Sequence, residues 1–93
     1  MFIKYFADIR ELTGRKEEEW PNASPNLGAL LAGLALKHGA RFKQRVFADD
    51  EAERLSGSII ILVNGQSVEH LSGLGTPLHP DDVVVIFPMV AGG

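Results

Sequence analysis

Leu27-Gly28-Ala29-Leu30-Leu31-Ala32-Gly33-Leu34 decides how this chain folds, because it opens the only stretch long enough to form a helix that covers a sheet. Leu27, Leu30, Leu31 and Leu34 recur at the i, i+3, i+4, i+7 spacing that lines one helical face. Ser24-Pro25 stands just before them as a start signal: the hydroxyl caps a free backbone N–H, and proline fills the first helical position, where no donor is needed. Gly39 falls where a left-handed C-terminal cap is expected. Gly28 and Gly33 weaken the helix, at about 1 kcal/mol each relative to alanine.

Working outward, Phe2-Ile3-Lys4-Tyr5-Phe6 is aromatic and β-branched and reads as a strand, with apolar side chains on both alternating faces. Gly14 suggests a turn, and Lys16 to Trp20 is a polar run that reads as an exposed edge strand closed by Pro21, its charges serving as edge protection. Beyond the leucine stripe, Phe42 to Phe47 suits a short second helix, and Asp49 to Arg54 a solvated charged loop. Ile59-Ile60-Ile61-Leu62-Val63 is a buried strand. Asn64-Gly65 after it is the strongest two-residue hairpin signal, since both positions tolerate positive φ, and a short return strand should include Val68. Val83-Val84-Val85-Ile86-Phe87, apolar on both faces, reads as a final, central strand.

The order ββαββ plus a last strand is an α+β, β-grasp (ubiquitin-like) layout: a mixed sheet under one main helix. In ubiquitin-like proteins the last strand lies centrally beside the first, and the residues after it leave the sheet. Residues 1–87 are therefore expected to form the β-grasp domain and 88–93 a flexible C-terminal tail.

Ninety-three residues allow one domain with one core. The apolar runs are too short to cross a membrane, and Met1-Phe2-Ile3-Lys4 lacks the charged-then-apolar order of an export signal, so a cytoplasmic location is expected. Cysteine is absent, which excludes disulfides and thiolate nucleophiles and removes the soft ligands of zinc and iron–sulfur sites. A net charge of −3 argues against nucleic acid, whose binding is driven by lysine and arginine neutralising phosphates, and proteins are the expected partners. His38, His70 and His79 are scattered, without the local spacing or carboxylate company of a metal site, and no metal ligand is assigned. Arg41, Lys43 and Arg45 form a small basic cluster offset by the acidic loop beyond it.

Pro88 cannot donate to a ladder and should end the last strand, leaving Pro88-Met89-Val90-Ala91-Gly92-Gly93 to extend roughly 20 Å at ~3.3 Å per residue. Two glycines without Cβ can thread a narrow channel and present an α-carboxylate as an oxygen nucleophile for ATP. Attack on the α-phosphate gives an acyl-adenylate, and transfer to a sulfur donor then gives a terminal thiocarboxylate. At a glycine usage of about 7%, such a pair arises by chance about once in 200 chain ends. Its weight comes from following the terminal strand of a β-grasp chain.

Three segments carry a resemblance to a known family. Phe6-Ala7-Asp8-Ile9-Arg10-Glu11-Leu12-Thr13-Gly14 resembles the Phe-Ala-x-x-Arg-Glu-Leu-x-Gly segment of the MoaD family, the small sulfur-carrier subunit of molybdopterin synthase. Val63-Asn64-Gly65 is similar to that family's Val-Asn turn, and Phe87 to Gly93 to its Phe-Pro-Pro-Val-x-Gly-Gly ending. Leu74-Gly75-Thr76-Pro77-Leu78 and the longer middle region resemble its archaeal-type variant. Met89 departs from the pattern where a second proline is common, and Asp81 where a glycine often precedes Asp82, which puts Asp81 in a left-handed turn.

The resemblance implies that Gly93 bears the adenylate and then the thiocarboxylate. Phe87, Pro88, Met89, Val90, Ala91 and Gly92 would make the partner contacts. It implies two partners, a MoeB-type adenylating enzyme and a MoaE-type large subunit, the latter in a heterotetramer. The chain would be no enzyme by itself, with catalysis on the large subunit and sulfur delivered to precursor Z. No cofactor is expected on the chain, ATP being used by the activating enzyme. Three other functions fit the same fold: a sulfur carrier for thiazole, tRNA thiolation or amino-acid synthesis, a ubiquitin-like modifier joined to lysines through Gly93, and a β-grasp interaction domain with an idle tail.

Overall fold

Alternation places Ile3 and Tyr5 on one face of the first strand, and both are fully buried, which settles the orientation that composition left open. The structure is a computed structural model that describes residues 1–21 and 24–89. Its elements are β1 (Phe2–Tyr5), α1 (Asp8–Thr13), β2 (Glu17–Glu19), α2 (Leu27–His38), α3 (Ala40–Val46), β3 (Ile59–Val63), β4 (Gln66–Ser67), two 3₁₀ turns (Val68–His70 and Gly73–Gly75) and β5 (Val83–Pro88). The five-stranded sheet has the order β2-β1-β5-β3-β4, with β1 and β5 parallel and the other pairs antiparallel. This is the β-grasp architecture, with β5 at the centre as its two apolar faces predicted.

One face of the sheet carries Ile3, Tyr5, Val84, Ile86, Ile59, Ile61 and Val63 against Leu27, Leu30, Leu31 and Leu34 of α2 and Phe42 and Val46 of α3, all buried. Gly33 lets α2 approach closely, since a Cβ there would stand 2.8 Å from Cζ2 of Trp20. Gly39 joins α2 to α3 at φ 98°, ψ −176°, a conformation outside the left-handed helical region expected of a cap but equally one that favours glycine. Among the described residues no helix is long and apolar enough to cross a membrane.

Five local expectations change. The cap of α2 is Asn26, whose Oδ1 accepts from the Ala29 N–H at 2.9 Å, because the backbone at Asn26 is extended and held against the 77–78 segment: Leu78 N–H donates to Pro25 O and Asn26 bridges Pro77. Ser24-Pro25 therefore precedes the helix. Residues 8–13 form a short helix, α1, where only a turn at Gly14 was expected; its one fully buried side chain is Ile9. The return strand stops at Ser67, and Val68 is buried through a 3₁₀ turn. Asp81 is absent from the positive-φ residues, so it fits the turn without left-handed strain.

The fifth change concerns the acidic run of β2. Glu18 is not edge protection: it points inward and is 3% exposed. Its Oε1 accepts from Tyr5 Oη at 2.5 Å and lies 2.6 Å from His38 Nε2, while Oε2 accepts from Lys37 Nζ at 2.5 Å. Burial opposes the carboxylate charge, but the hydrogen bonds from Lys37, Tyr5 and His38 outweigh it and hold the pKa at about 2. Burial first, and the neighbouring carboxylate second, push the Tyr5 hydroxyl well above its usual range. His38 thus has the carboxylate company its sequence neighbours did not show. Among the described residues no group of three histidine, aspartate or glutamate side chains is placed to hold a metal.

Candidate functional site at the exit of the last strand

β5 carries the chain towards residues 90–93, so its end defines where the expected working segment begins. The strand ends at Pro88 itself, one residue later than the expected boundary at 87: β5 includes the proline, opposite Ile59 of β3. Residues of β5 face β1 and β3 alternately. Ile86 O accepts from Phe6 N–H at 3.1 Å on the β1 side, and Met89 N–H donates to Ser58 O at 2.9 Å on the β3 side. The donor that proline lacks would point towards β1 beyond its last paired residue, so the ladder loses nothing there.

Beside this exit lies an open apolar depression lined by Phe6, Ala7, Val85, Phe87 and Pro88. Phe6 is 43% and Met89 50% exposed. Phe87 and Pro88 are half-buried. Arg10 on α1 has its guanidinium carbon 5.9 Å from the Phe6 ring centroid and its Nε donating to Tyr5 O at 3.4 Å. A cation thus sits at the rim of the depression. Ala7, between β1 and α1, has φ 53° and ψ −129°, a strained conformation for any residue with a Cβ, and it turns the chain directly under the exit.

The far end of the central strand is fastened by the Asn64-Gly65 turn, whose φ values of 51° and 84° are those the hairpin required. Asn64 Oδ1 accepts from Val83 N–H at 2.9 Å and its Nδ2 donates to Asp82 Oδ1 at 2.8 Å, while Asp82 Oδ2 accepts from His79 N–H at 2.8 Å. Burial favours the neutral acid at Asp82, but these donors win and hold its pKa below the usual carboxylate range. The β3–β4 turn and the start of β5 are thereby one unit.

Of the residues singled out from sequence, Phe87, Pro88 and Met89 come together at the exit. Val90, Ala91, Gly92 and Gly93 lie outside the described residues. Phe6, Ala7 and Val85 complete the apolar surface and were not singled out. The signal for Phe6 was the alternation in Phe2-Ile3-Lys4-Tyr5-Phe6, once Ile3 and Tyr5 are known to face inward.

The sequence model of the ThiS family matches residues 3–93. Small archaeal modifier protein 3 of Haloferax volcanii is 33% identical over 92 residues, covering 98% of this chain and 96% of its own. The solution structure of small archaeal modifier protein 1 from Methanosarcina acetivorans aligns at 36% identity with a TM-score of 0.80, over 99% of this chain and 94% of that one. A Pyrococcus furiosus protein provisionally described as molybdopterin converting factor subunit 1 aligns at 32% identity and a TM-score of 0.73, over 96% of this chain and 95% of that one. The chain belongs to the ThiS family and is a ubiquitin-like sulfur carrier of the ThiS/MoaD kind, in its archaeal-type variant.

Proposed function

We propose that this protein delivers sulfur as a thiocarboxylate on Gly93, serving as the small subunit of a molybdopterin synthase in the cytoplasm. The observation that supports this most is the delivery of Met89 from the central strand beside the open Phe6–Phe87 surface, within a chain matched to a sulfur-carrier family through residue 93. A Gly93 carboxylate oxygen attacks the α-phosphorus of ATP and expels pyrophosphate. Hydrosulfide supplied by a donor then attacks the acyl carbon and expels AMP, leaving a thiocarboxylate. The chain provides the acyl group and the docking surface. A MoeB-type enzyme supplies the activation and a MoaE-type subunit the sulfur transfer to precursor Z, with Phe6 and Phe87 as apolar anchors for both.

A second reading has its own support in the small archaeal modifier proteins among the relatives. The same activated Gly93 would be attacked by a lysine amine in place of a sulfur nucleophile, giving an isopeptide. Delivery of sulfur to another acceptor uses identical early steps.

Intact mass measured after incubation with ATP, the cognate adenylating enzyme and a sulfide donor tests the shared chemistry. Replacement of one oxygen by sulfur, abolished by deleting Gly93, is the expected result; an unchanged mass with an active enzyme refutes the carrier role. Molybdopterin formation with a MoaE-type partner then separates the leading reading from its alternatives. Lysines joined by an isopeptide bond to a C-terminal peptide of this chain after proteolysis point to the modifier.

A further inference from the structure

Beneath the tail exit lies a set of polar side chains that the activation chemistry does not use. Arg45 on α3, 24% exposed, donates from Nε to Asp8 Oδ2 at 2.7 Å and from Nη1 to Ser58 Oγ at 2.8 Å. Ser58 Oγ is 2.9 Å from Ser56 Oγ, and Ser58 N–H donates to Ser56 Oγ at 3.2 Å. Ser56 N–H donates in turn to Val46 O at 2.8 Å. The short turn 56–58 is therefore fastened to the last turn of α3 at two points, one through Arg45 and one through the backbone. Its Ser58 carbonyl is the acceptor for Met89 N–H. On the opposite side β1 has ended and Pro88 has no donor, so the hold on Met89 comes from the Ser58 side.

We propose that Arg45 is a positioning residue for the carboxyl-terminal tail: by holding Ser58 it fixes the carbonyl that anchors Met89, and so sets the point from which residues 90–93 reach an activating enzyme. The proposal rests on the reading of Gly93 as the activated end. A guanidinium suits this position because two different nitrogens must reach Asp8 and Ser58 in different directions, whereas lysine has a single ammonium. With the anchor made, the enzyme meets a tail whose base is already ordered. Without it, that ordering falls on the binding step, which raises KM and leaves the chemistry of the bound complex alone.

The test uses the full chain and Arg45→Lys, Arg45→Ala and Ser58→Ala, with two measurements. Amide hydrogen exchange is followed at Met89 and, for comparison, at Ile61 and Ile86. ATP–pyrophosphate exchange with the cognate adenylating enzyme gives KM and kcat for each protein. Loss of one charge-assisted hydrogen bond predicts Met89 exchange about fivefold faster in all three variants, with the core amides unchanged. KM rises by about the same factor while kcat stays within about twofold. Ser58→Ala keeps the backbone carbonyl and removes only a partly exposed hydroxyl, so it decides the matter even if an arginine variant folds poorly. Unchanged Met89 exchange in Ser58→Ala, or a loss in kcat at constant KM, overturns the proposal. Wild-type protein that supports no pyrophosphate exchange refutes the activation of Gly93, while Met89 exchange still decides whether Arg45 holds the anchor.

Discussion

Replacing Glu18 with glutamine should remove a large, pH-dependent part of the stability. The carboxylate is enclosed and receives donors from Tyr5 and Lys37, with His38 Nε2 at 2.6 Å, and these hold its pKa at about 2, against an ordinary 4.5. A folded pKa below the unfolded one means that the contribution is present above the ordinary carboxylate range and drains away as pH falls through about 2. The difference corresponds to about 3 kcal/mol at pH 5 and about 1 kcal/mol at pH 2.5, an order-of-magnitude loss of about 2 kcal/mol between them. The glutamine carbonyl oxygen would still accept from Tyr5 Oη but carries no charge, so Glu18→Gln is expected to be less stable by about 2–3 kcal/mol at pH 5. Urea unfolding followed by Trp20 fluorescence, at both pH values and in both proteins, reads the four free energies. Contributions common to the two chains cancel, which leaves Glu18 in the difference. Should wild type and variant lose the same stability between pH 5 and pH 2.5, the buried carboxylate is not the charged hub described.

Phe6→Ser should weaken binding to the adenylating enzyme at least tenfold, the loss of one aromatic anchor, with little change in melting temperature because the ring is 43% exposed; calorimetry of binding and of unfolding checks both halves. Ala7→Gly relieves a φ of 53° and should stabilise the fold by about 1 kcal/mol, seen as a higher urea midpoint at unchanged slope. Asn64→Ala removes two side-chain hydrogen bonds and places a poorer residue at positive φ, so a loss of about 2–3 kcal/mol is expected in the same assay.

What sequence could show of the fold tracks how far each feature depends on local periodicity. Leu27, Leu30, Leu31 and Leu34 share a face whatever lies opposite, and all four are buried. Asn64-Gly65 announces its turn through backbone freedom alone. Six-residue α1 gives no repeat to count, since Ile9 is its single buried side chain and no side chain caps its start. Asn26 takes the cap from Ser24 because the extended pairing of Asn26 with Pro77 delays the helix, an interaction between distant segments. Glu18 sits in a run of glutamates that reads as solvated, and its partners Lys37 and His38 lie 19 and 20 residues away. Only the alternation of β2 places its middle residue inward, and that helps only after the neighbouring strand is oriented.

The site divides along the same line. Diglycine chemistry belongs to a backbone carboxylate and is written directly in the last residues, so pattern alone suggests it. The surface that an activating enzyme would meet is topological. Phe6 and Phe87 become neighbours because β1 and β5 pair in parallel and both chains reach the same end of the sheet, with Ala7 turning β1 away just where β5 continues to Pro88. A parallel pair sends both strands towards one edge. In an antiparallel arrangement the end of β5 would lie beside Phe2, and Phe6 would mark the opposite end. Charge follows from the same geometry, since Arg10 reaches the exit only because α1 packs beside β5. A partner adapted to this chain must therefore read an apolar base with a cationic rim before it reaches the glycines, and exchanging Arg10 for glutamate should slow association most at low salt.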